Sequence, residues 1–419
     1  MKRIGDLGTV VTGATPPGGD AERFVGKWPF ITPTDLVEGT RTPVVTRFIS
    51  DGAADSLSRR ILPPDSVCFT CIGATIGKAC LTQEPAITNQ QINSIIVDRS
   101  QHDPAFVYYR LIEDRDQIKA TAGGAATPII SKSAFENIVV MMPPLPIQRK
   151  IAAVLSACDD LIENNSRRIN LLEEMAQRIY REWFVEYRFP GHEGVPLVVS
   201  ELGPIPRGWG TGILGEVLSL MEAGSRPKGG IDPLERGVPS VGAENVIGLG
   251  QYDFDKEKFV SREFFERMTR GRLASGDVVL YKDGAYIGRV SLFRDGFPHI
   301  ECGVNEHVFI LRTNERLSQS FLYFWLAEPR NQDRVRALNA NAAQPGLNQE
   351  KLRALALTIP PVALIRRFTE TIEPFVALVF RLALGITRTR AARNLLLPRL
   401  ISGQIDVSDL DIAATRFDA

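Results

Sequence analysis

The chain carries one pattern twice. Pro143-Pro144-Leu145 recurs as Pro360-Pro361-Val362, 217 residues on, and at that offset Ile147-Gln148-Arg149-Lys150-Ile151 lies over Leu364-Ile365-Arg366-Arg367-Phe368. Upstream, with small insertions, Gly73-Ala74-Thr75-Ile76-Gly77 answers to Gly284-Ala285-Tyr286-Ile287-Gly288, Asn89-Gln90-Gln91-Ile92 to Asn305-Glu306-His307-Val308, and Phe106-Val107-Tyr108-Tyr109 to Phe321-Leu322-Tyr323-Phe324. A period of this length lies far outside the few tens of residues of a solenoid unit. It describes a tandem duplication of one domain plus one helix, a pseudo-dimer made from a single polypeptide. Such a molecule suits a target with two halves.

With 419 residues, 44% hydrophobic and 23% charged, there is room for two or more cores. No run approaches the roughly 20 apolar residues of a membrane-spanning helix. Met1-Lys2-Arg3-Ile4-Gly5 leads straight into polar, strand-like sequence without a signal-peptide core, so a cytoplasmic protein with no membrane association is expected. The five cysteines are odd in number and sit mostly in apolar runs, which reads as reduced, buried thiols. Cys68-Phe69-Thr70-Cys71 has metal-ligand spacing but no second pair and no nearby His, so no metal site is expected. A formal net charge of zero weighs against binding nucleic acid by bulk charge alone. Local basic groups remain: Arg59-Arg60, Arg226 with Lys228, and Arg267, Arg270 and Arg272.

Residues 1–145 read as short strands broken by turns. Phe48-Ile49, Ser66 to Ile72 and Ser94 to Val97 are strand-like, and Pro16-Pro17-Gly18-Gly19 and Pro63-Pro64-Asp65 are turns. One helix is expected over 105–120. The second copy repeats the order, with strands at Asp277–Tyr281 and Val308–Leu311 and a helix opening over Ser320–Leu326. The divisions follow: 1–145 a first β-rich domain, 146–190 a first long helix, 191–360 a linker and second domain, 361–403 a second long helix, 404–419 a tail.

In the first long helix, steps of four and three from Ile151 land on Leu155, Cys158, Ile162, Asn165, Ile169, Leu172, Ala176, Ile179 and Trp183. That is a heptad seam with one polar interruption. The repeat offset carries it to Phe368, Ile372, Phe375, Val379, Leu382, Ile386, Thr389, Arg393, Leu396 and Leu400, where Thr389 and Arg393 loosen it. Two such stripes most simply bury each other. Short connections and repeated order predict an antiparallel pair about a pseudo-two-fold axis, with the globular units at opposite ends. The overall expectation is an α+β fold of two β-rich domains, each followed by a coiled-coil helix. Pro146 suits a first helical turn, Phe189-Pro190-Gly191 a stop, and Pro374 predicts a kink or a late start. The seam from Ile151 to Trp183 spans about 50 Å at roughly 1.5 Å per residue. That is about 15 base pairs of duplex at roughly 3.4 Å each.

Catalytic chemistry is missing. Gly73-Ala74-Thr75-Ile76-Gly77-Lys78 is one residue short of a phosphate loop, and Ala79 stands where a magnesium-binding hydroxyl belongs. His192-Glu193-Gly194-Val195-Pro196 lacks the second His of a zinc protease helix. No spacing assembles a Ser/His/Asp or Cys/His group, and neither an Asn-Pro-Pro-Tyr-type tetrapeptide nor a glycine-rich turn for S-adenosylmethionine occurs. No catalytic residue is assigned.

These residues resemble the specificity subunits of type I restriction–modification systems over nearly the whole chain. The resemblance rests on the two-copy layout, Ile4-Gly5-Asp6-Leu7 echoed by Leu214-Gly215-Glu216-Val217, the Gly-Ala-x-Ile-Gly turns, the Asn89-Gln90-Gln91 segment, and Pro143 to Ile151 leading into a coiled-coil helix. It implies that each globular unit is a target-recognition domain reading one half of a split, asymmetric sequence in double-stranded DNA, with the paired helices as a ruler. It also implies two modification (methyltransferase) subunits as partners, carrying the S-adenosylmethionine that this chain does not bind, with restriction subunits as further partners. On that reading Arg59, Arg60 and Lys78 are candidates for phosphate or base contacts in the first unit, with Asn89, Gln90 and Gln91 for adenine-type readout; Arg226, Lys228, Arg270, Arg272, Lys282 and Tyr286 are their counterparts in the second. Two alternatives stay open. Asn89 at a strand entrance also suits a turn cap, and a duplicated β-rich module on a coiled coil also suits an adaptor bridging proteins without DNA.

Overall fold

The computed structural model describes residues 1–17, 23–37, 39–123, 127–230, 236–339 and 346–411. Two compact units emerge: Met1–Glu163 with Arg388–Ala419, and Asn164–Thr387.

In the first unit a four-stranded sheet has the order Gly8–Thr12, Ile92–Val97, Val67–Thr70, Ala79–Leu81, all antiparallel. Beside it lies a three-stranded sheet in which Trp28–Ile31 pairs antiparallel with Phe48–Ile49 and parallel with Ile87–Thr88. Val67 to Thr70 is buried throughout because both faces of its sheet are covered, so Val67, Cys68 and Phe69 run apolar without alternation. Period-two geometry sends Cys68 into one cluster with Ile31, Leu62 and Cys80, and Phe69 and Cys71 into another with Phe106 and Phe135. The Cys-x-x-Cys spacing therefore points to opposite faces, and burial pushes the Cys71 thiol up to about 11. All five cysteines are free thiols.

The helix expected over 105–120 is two helices, Pro104–Glu113 and Arg115–Ala120. Asp103 caps the first by accepting from the Phe106 amide at 2.9 Å. Asp114 at the break binds the guanidinium of Arg110, Nε to Oδ2 at 2.6 Å.

The second unit repeats the order strand for strand. Leu218–Ala223, Val308–Thr313, Asp277–Tyr281 and Val290–Phe293 form its four-stranded sheet, and Phe259–Val260, Val238–Val241 and Gly303–Val304 the three-stranded one. Even the one parallel pairing recurs, between Val238–Val241 and Gly303–Val304. Caps recur too: Ser50 and Ser261 each cap a short helix through the third amide onward.

The long helices run over Leu145–Phe184 and Val362–Ile401. In the first unit the start of one meets the end of the other, Asp159 against Arg393. In the second unit Tyr180, Trp183 and Phe184, from the end of the first helix, surround Phe368 near the start of the second. The pair is antiparallel. Ile151, Leu155, Ile162, Asn165, Ile169, Trp183, Phe368, Ile372, Val379, Leu382, Ile386 and Leu400 are buried, and Leu172, Ile179 and Leu396 are half-buried.

Four expectations about these helices need correcting. Phe375 is only half-buried, and Val376 is fully buried in its place. Buried positions Ile365, Phe368 and Ile372 recur eleven residues on at Val376, Val379 and Ala383. An eleven-residue period of 3.67 per turn follows a straight helix more closely than a heptad does, which moves the stripe by one. Second, of the two outcomes that Pro374 predicts the late start does not occur: the helix starts at Val362 and passes through Pro374. Third, Arg393 does not loosen the contact: its Nη1 lies 2.6 Å from Asp159 Oδ1 and 3.2 Å from the Gly39 carbonyl, while Tyr109 donates to Asp159 Oδ2 at 2.6 Å. The first helix also ends at Phe184, ahead of Phe189-Pro190-Gly191.

After the second helix Val407 is buried in the first unit's core, and Lys150 Nζ donates to the Ser408 carbonyl at 2.6 Å. No helix among the described residues is long and apolar enough to cross a membrane.

Candidate nucleic-acid interface

Each unit presents the same framework at the exit of its first strand. Gly13 follows Gly8–Thr12, and a Cβ there would lie 2.2 Å from the carbonyl oxygens of both Thr88 and Asn89. Gly224 follows Leu218–Ala223, and its Cβ would lie 1.7 Å from the Val304 oxygen. Only glycine allows the exit loop to lie this close to the turn that carries Asn89 or Asn305. That turn is closed in both units by its own asparagine: Asn89 Oδ1 accepts from the Gln91 amide at 3.1 Å, Asn305 Oδ1 from the His307 amide at 2.9 Å. The next side chain then meets the exit loop. Thr15 Oγ1 donates to Gln90 Oε1 at 2.8 Å, and in the second unit Arg226 Nε pairs with Glu306 Oε1 at 3.0 Å.

The Gly-x-x-x-Gly segments are strand-connecting turns, not phosphate loops. Gly73 and Gly77 have φ of +77° and +101°, Gly284 and Gly288 of +63° and +90°, values at which an L side chain is strained. Lys78, just beyond the first, reaches the Pro33 carbonyl at 3.5 Å. Its counterpart Arg289 lies 3.9 Å above the ring of Tyr286, which is exposed.

The predicted residues divide by what holds them. Arg60 donates to the carbonyls of Thr12 and Gly13 at 2.6 and 2.9 Å, and so fixes the exit loop from below. Arg272 donates to the carbonyl of Phe265 at 2.7 Å and to that of Glu266, and lies over the Phe265 ring. Lys282 Nζ sits 5.3 Å from the Phe309 ring centre and 4.0 Å from Asp283. Asn89 and Gln91 bond each other. By contrast, Arg59, Gln90, Arg226, Lys228, Arg270 and Tyr286 are exposed.

The structure brings Arg226, Lys228 and Arg270 together with Glu306 around an open cleft of about 640 Å³ floored by Gly229 and Gly230. Lys228 and Arg270 make no ion pair among the described residues. Three cations against one carboxylate, on glycine-rich backbone that allows close approach, suit a phosphate-bearing polymer. Sequence reading missed Thr15, Gly13, Gly224 and Glu306. Aligning the two copies through Asn89 and Asn305 places Glu306 opposite Gln90, and that substitution of charge for amide was the available signal. Among the described residues there is no cluster that could hold a metal.

The profile of the type I restriction modification DNA specificity domain matches residues 1–174 and again 206–377. The chain belongs to that family. Among similar proteins, the Type I restriction enzyme MjaIX specificity subunit of Methanocaldococcus jannaschii is 24% identical, over 98% of this chain and 94% of its own. The MjaVIII specificity subunit of the same organism is 23% identical over 94% and 93%. A crystal structure of a type I restriction-modification S subunit from M. genitalium shares the fold at a TM-score of 0.57 and 14% identity, covering 95% of each chain. The two matched segments of the specificity-domain family coincide with the two copies seen in strand order.

Proposed function

We propose that this chain is the non-catalytic, sequence-reading subunit of a type I restriction–modification complex. It binds double-stranded DNA at an asymmetric target of two half-sites, one read by each unit, with the helix pair as spacer. The observation that carries this reading is one framework built twice with different side chains at equivalent positions of the exit loop and Asn turn. Identical frames serve two related ligands, and different side chains make those ligands unlike. Arg59, Arg226, Lys228 and Arg270 act on phosphates; Gln90 and Tyr286 are placed for base edges; Arg60, Lys78, Asn89, Gln91, Arg272 and Lys282 hold the loops or contact the backbone.

Two modification subunits dock on this chain and carry S-adenosylmethionine, and restriction subunits join them, in the cytoplasm. The family's recurrence over both copies supports this reading over an adaptor that bridges proteins without DNA.

The test is to tag the chain in its native cell, identify what co-purifies by mass spectrometry, and select bound duplexes from a random pool with the recovered complex. A methyltransferase in about twofold excess and a split, non-palindromic consensus are expected. A palindromic consensus, or none, would count against the reading.

A further inference from the structure

We infer that the residue after each turn-closing asparagine, Gln90 in the first unit and Glu306 in the second, selects a base in its half-site, acting with its loop partner Thr15 or Arg226. This rests on the DNA-recognition reading above.

The framework beneath the two positions is the same. A glycine that admits no Cβ clamps the loop, an asparagine closes the turn, and the side chains two residues past the glycine and one past the asparagine meet at 2.8 and 3.0 Å. Only the chemistry of the meeting changes, from hydroxyl with amide to guanidinium with carboxylate. A staple between loops would work equally well with either pair, so the difference calls for a second cause.

Glu306 also has the wrong sign for its surroundings. It lines the cleft with Arg226, Lys228 and Arg270, where a carboxylate repels the phosphate that the cations attract. Its Oε1 is held by Arg226 and lies 3.3 Å from His307 Nε2. Its Oε2 is buried with no hydrogen-bond partner among the described residues. A carboxylate accepts and never donates, and an unmet acceptor is costly. The Glu306 side chain as a whole is 30% exposed, so rotation about its last bond brings the unmet oxygen to the cleft, where the donors that DNA presents in the major groove, the amino groups of bases, meet it. Carboxylates pair with cytosine N4, whereas glutamine, with one donor and one acceptor, pairs with adenine N6 and N7. The three cations offset the repulsion between Glu306 and the backbone. The second unit thus reads a cytosine at the position where the first reads an adenine.

The experiment is duplex selection from a random pool by the full chain with its modification partner, comparing wild type with R226T/E306Q and T15R/Q90E. R226T/E306Q is expected to move the preference at one position of one half-site from cytosine toward adenine by about tenfold, within the range of one bidentate base contact. The other half-site and the spacing stay as they were. T15R/Q90E is expected to make the opposite change in the other half. The isosteric single changes E306Q and Q90E serve where a double variant does not fold. Removing Arg226 lowers affinity and the salt slope in either case, so the base preference decides: unchanged preferences at every position, in the double variants and in E306Q and Q90E alike, overturn the inference, because the pair then acts as a staple or on phosphate alone. If wild type itself selects no sequence, the DNA-recognition reading fails, and the inference with it.

Discussion

Single residues set the shape of the recognition loops, and two of them yield sharp expectations. Gly224 lies where a Cβ would overlap the Val304 oxygen at 1.7 Å, and backbone cannot step aside as a side chain can. Gly224→Ala is therefore expected to cost about 1–3 kcal/mol, read as a lower melting temperature, and to weaken DNA binding by displacing Arg226. A variant melting with wild type would show that the loop does not need this approach. Glu173 is a second case. Burial raises its carboxyl above the usual range, while the hydroxyl of Tyr323 and the amide of Leu249 donate to it. A carboxyl that binds its proton more tightly in the fold than in the unfolded chain makes stability fall as pH rises from the ordinary carboxylate range through the raised value. Glu173→Gln keeps an acceptor and removes the charge, so it is expected to abolish that fall and to melt no lower than wild type at neutral pH. Melting curves across acidic to neutral pH check it. Glycines 73, 77, 284 and 288 were legible in sequence as turns because they repeat. The role of Arg60 was not, since its carbonyl partners lie 47 and 48 residues away along the chain.

At the scale of elements, the strands and helices follow local pattern, and the departures occur where partners override it. The heptad of the second helix holds at Phe368, Ile372, Val379, Leu382, Ile386 and Leu400 and slips at Phe375, where Val376 takes the buried place. Arg393, a fault in the pattern by hydropathy alone, is matched by Asp159 on the opposing helix, both largely buried with side-chain exposures of 14% and 6%. Two charges inside a helix contact are tolerated when each satisfies the other, and Tyr109 and the Gly39 carbonyl complete the set. Removing one partner leaves the other buried and uncompensated, which costs about 3–5 kcal/mol. Arg393→Ala is expected to lower the melting temperature strongly, and Arg393→Met combined with Asp159→Leu to recover part of the loss. Equal melting of Arg393→Ala and wild type would contradict the network.

For the whole molecule, duplication is the governing fact. If the paired helices measure the gap between half-sites, removing matched heptads from both is expected to shorten the preferred spacing while each half-site keeps its bases. Duplex selection with the shortened chain checks this, and an unchanged spacing would show that something else sets the gap. The sequence by itself determined the two-copy layout, the two long helices and the family, because repeats and hydropathy periods are local signals that survive in one dimension. The tertiary structure alone decided which cations are free and which are bound to carbonyls, that the seam ion pair forms, and that Thr15 with Gln90 and Arg226 with Glu306 face each other. Those pairs join residues about 75 to 80 positions apart. Their meeting depends on strand pairing and on two glycines that let backbone touch backbone, and neither distance nor close approach is written in the order of residues.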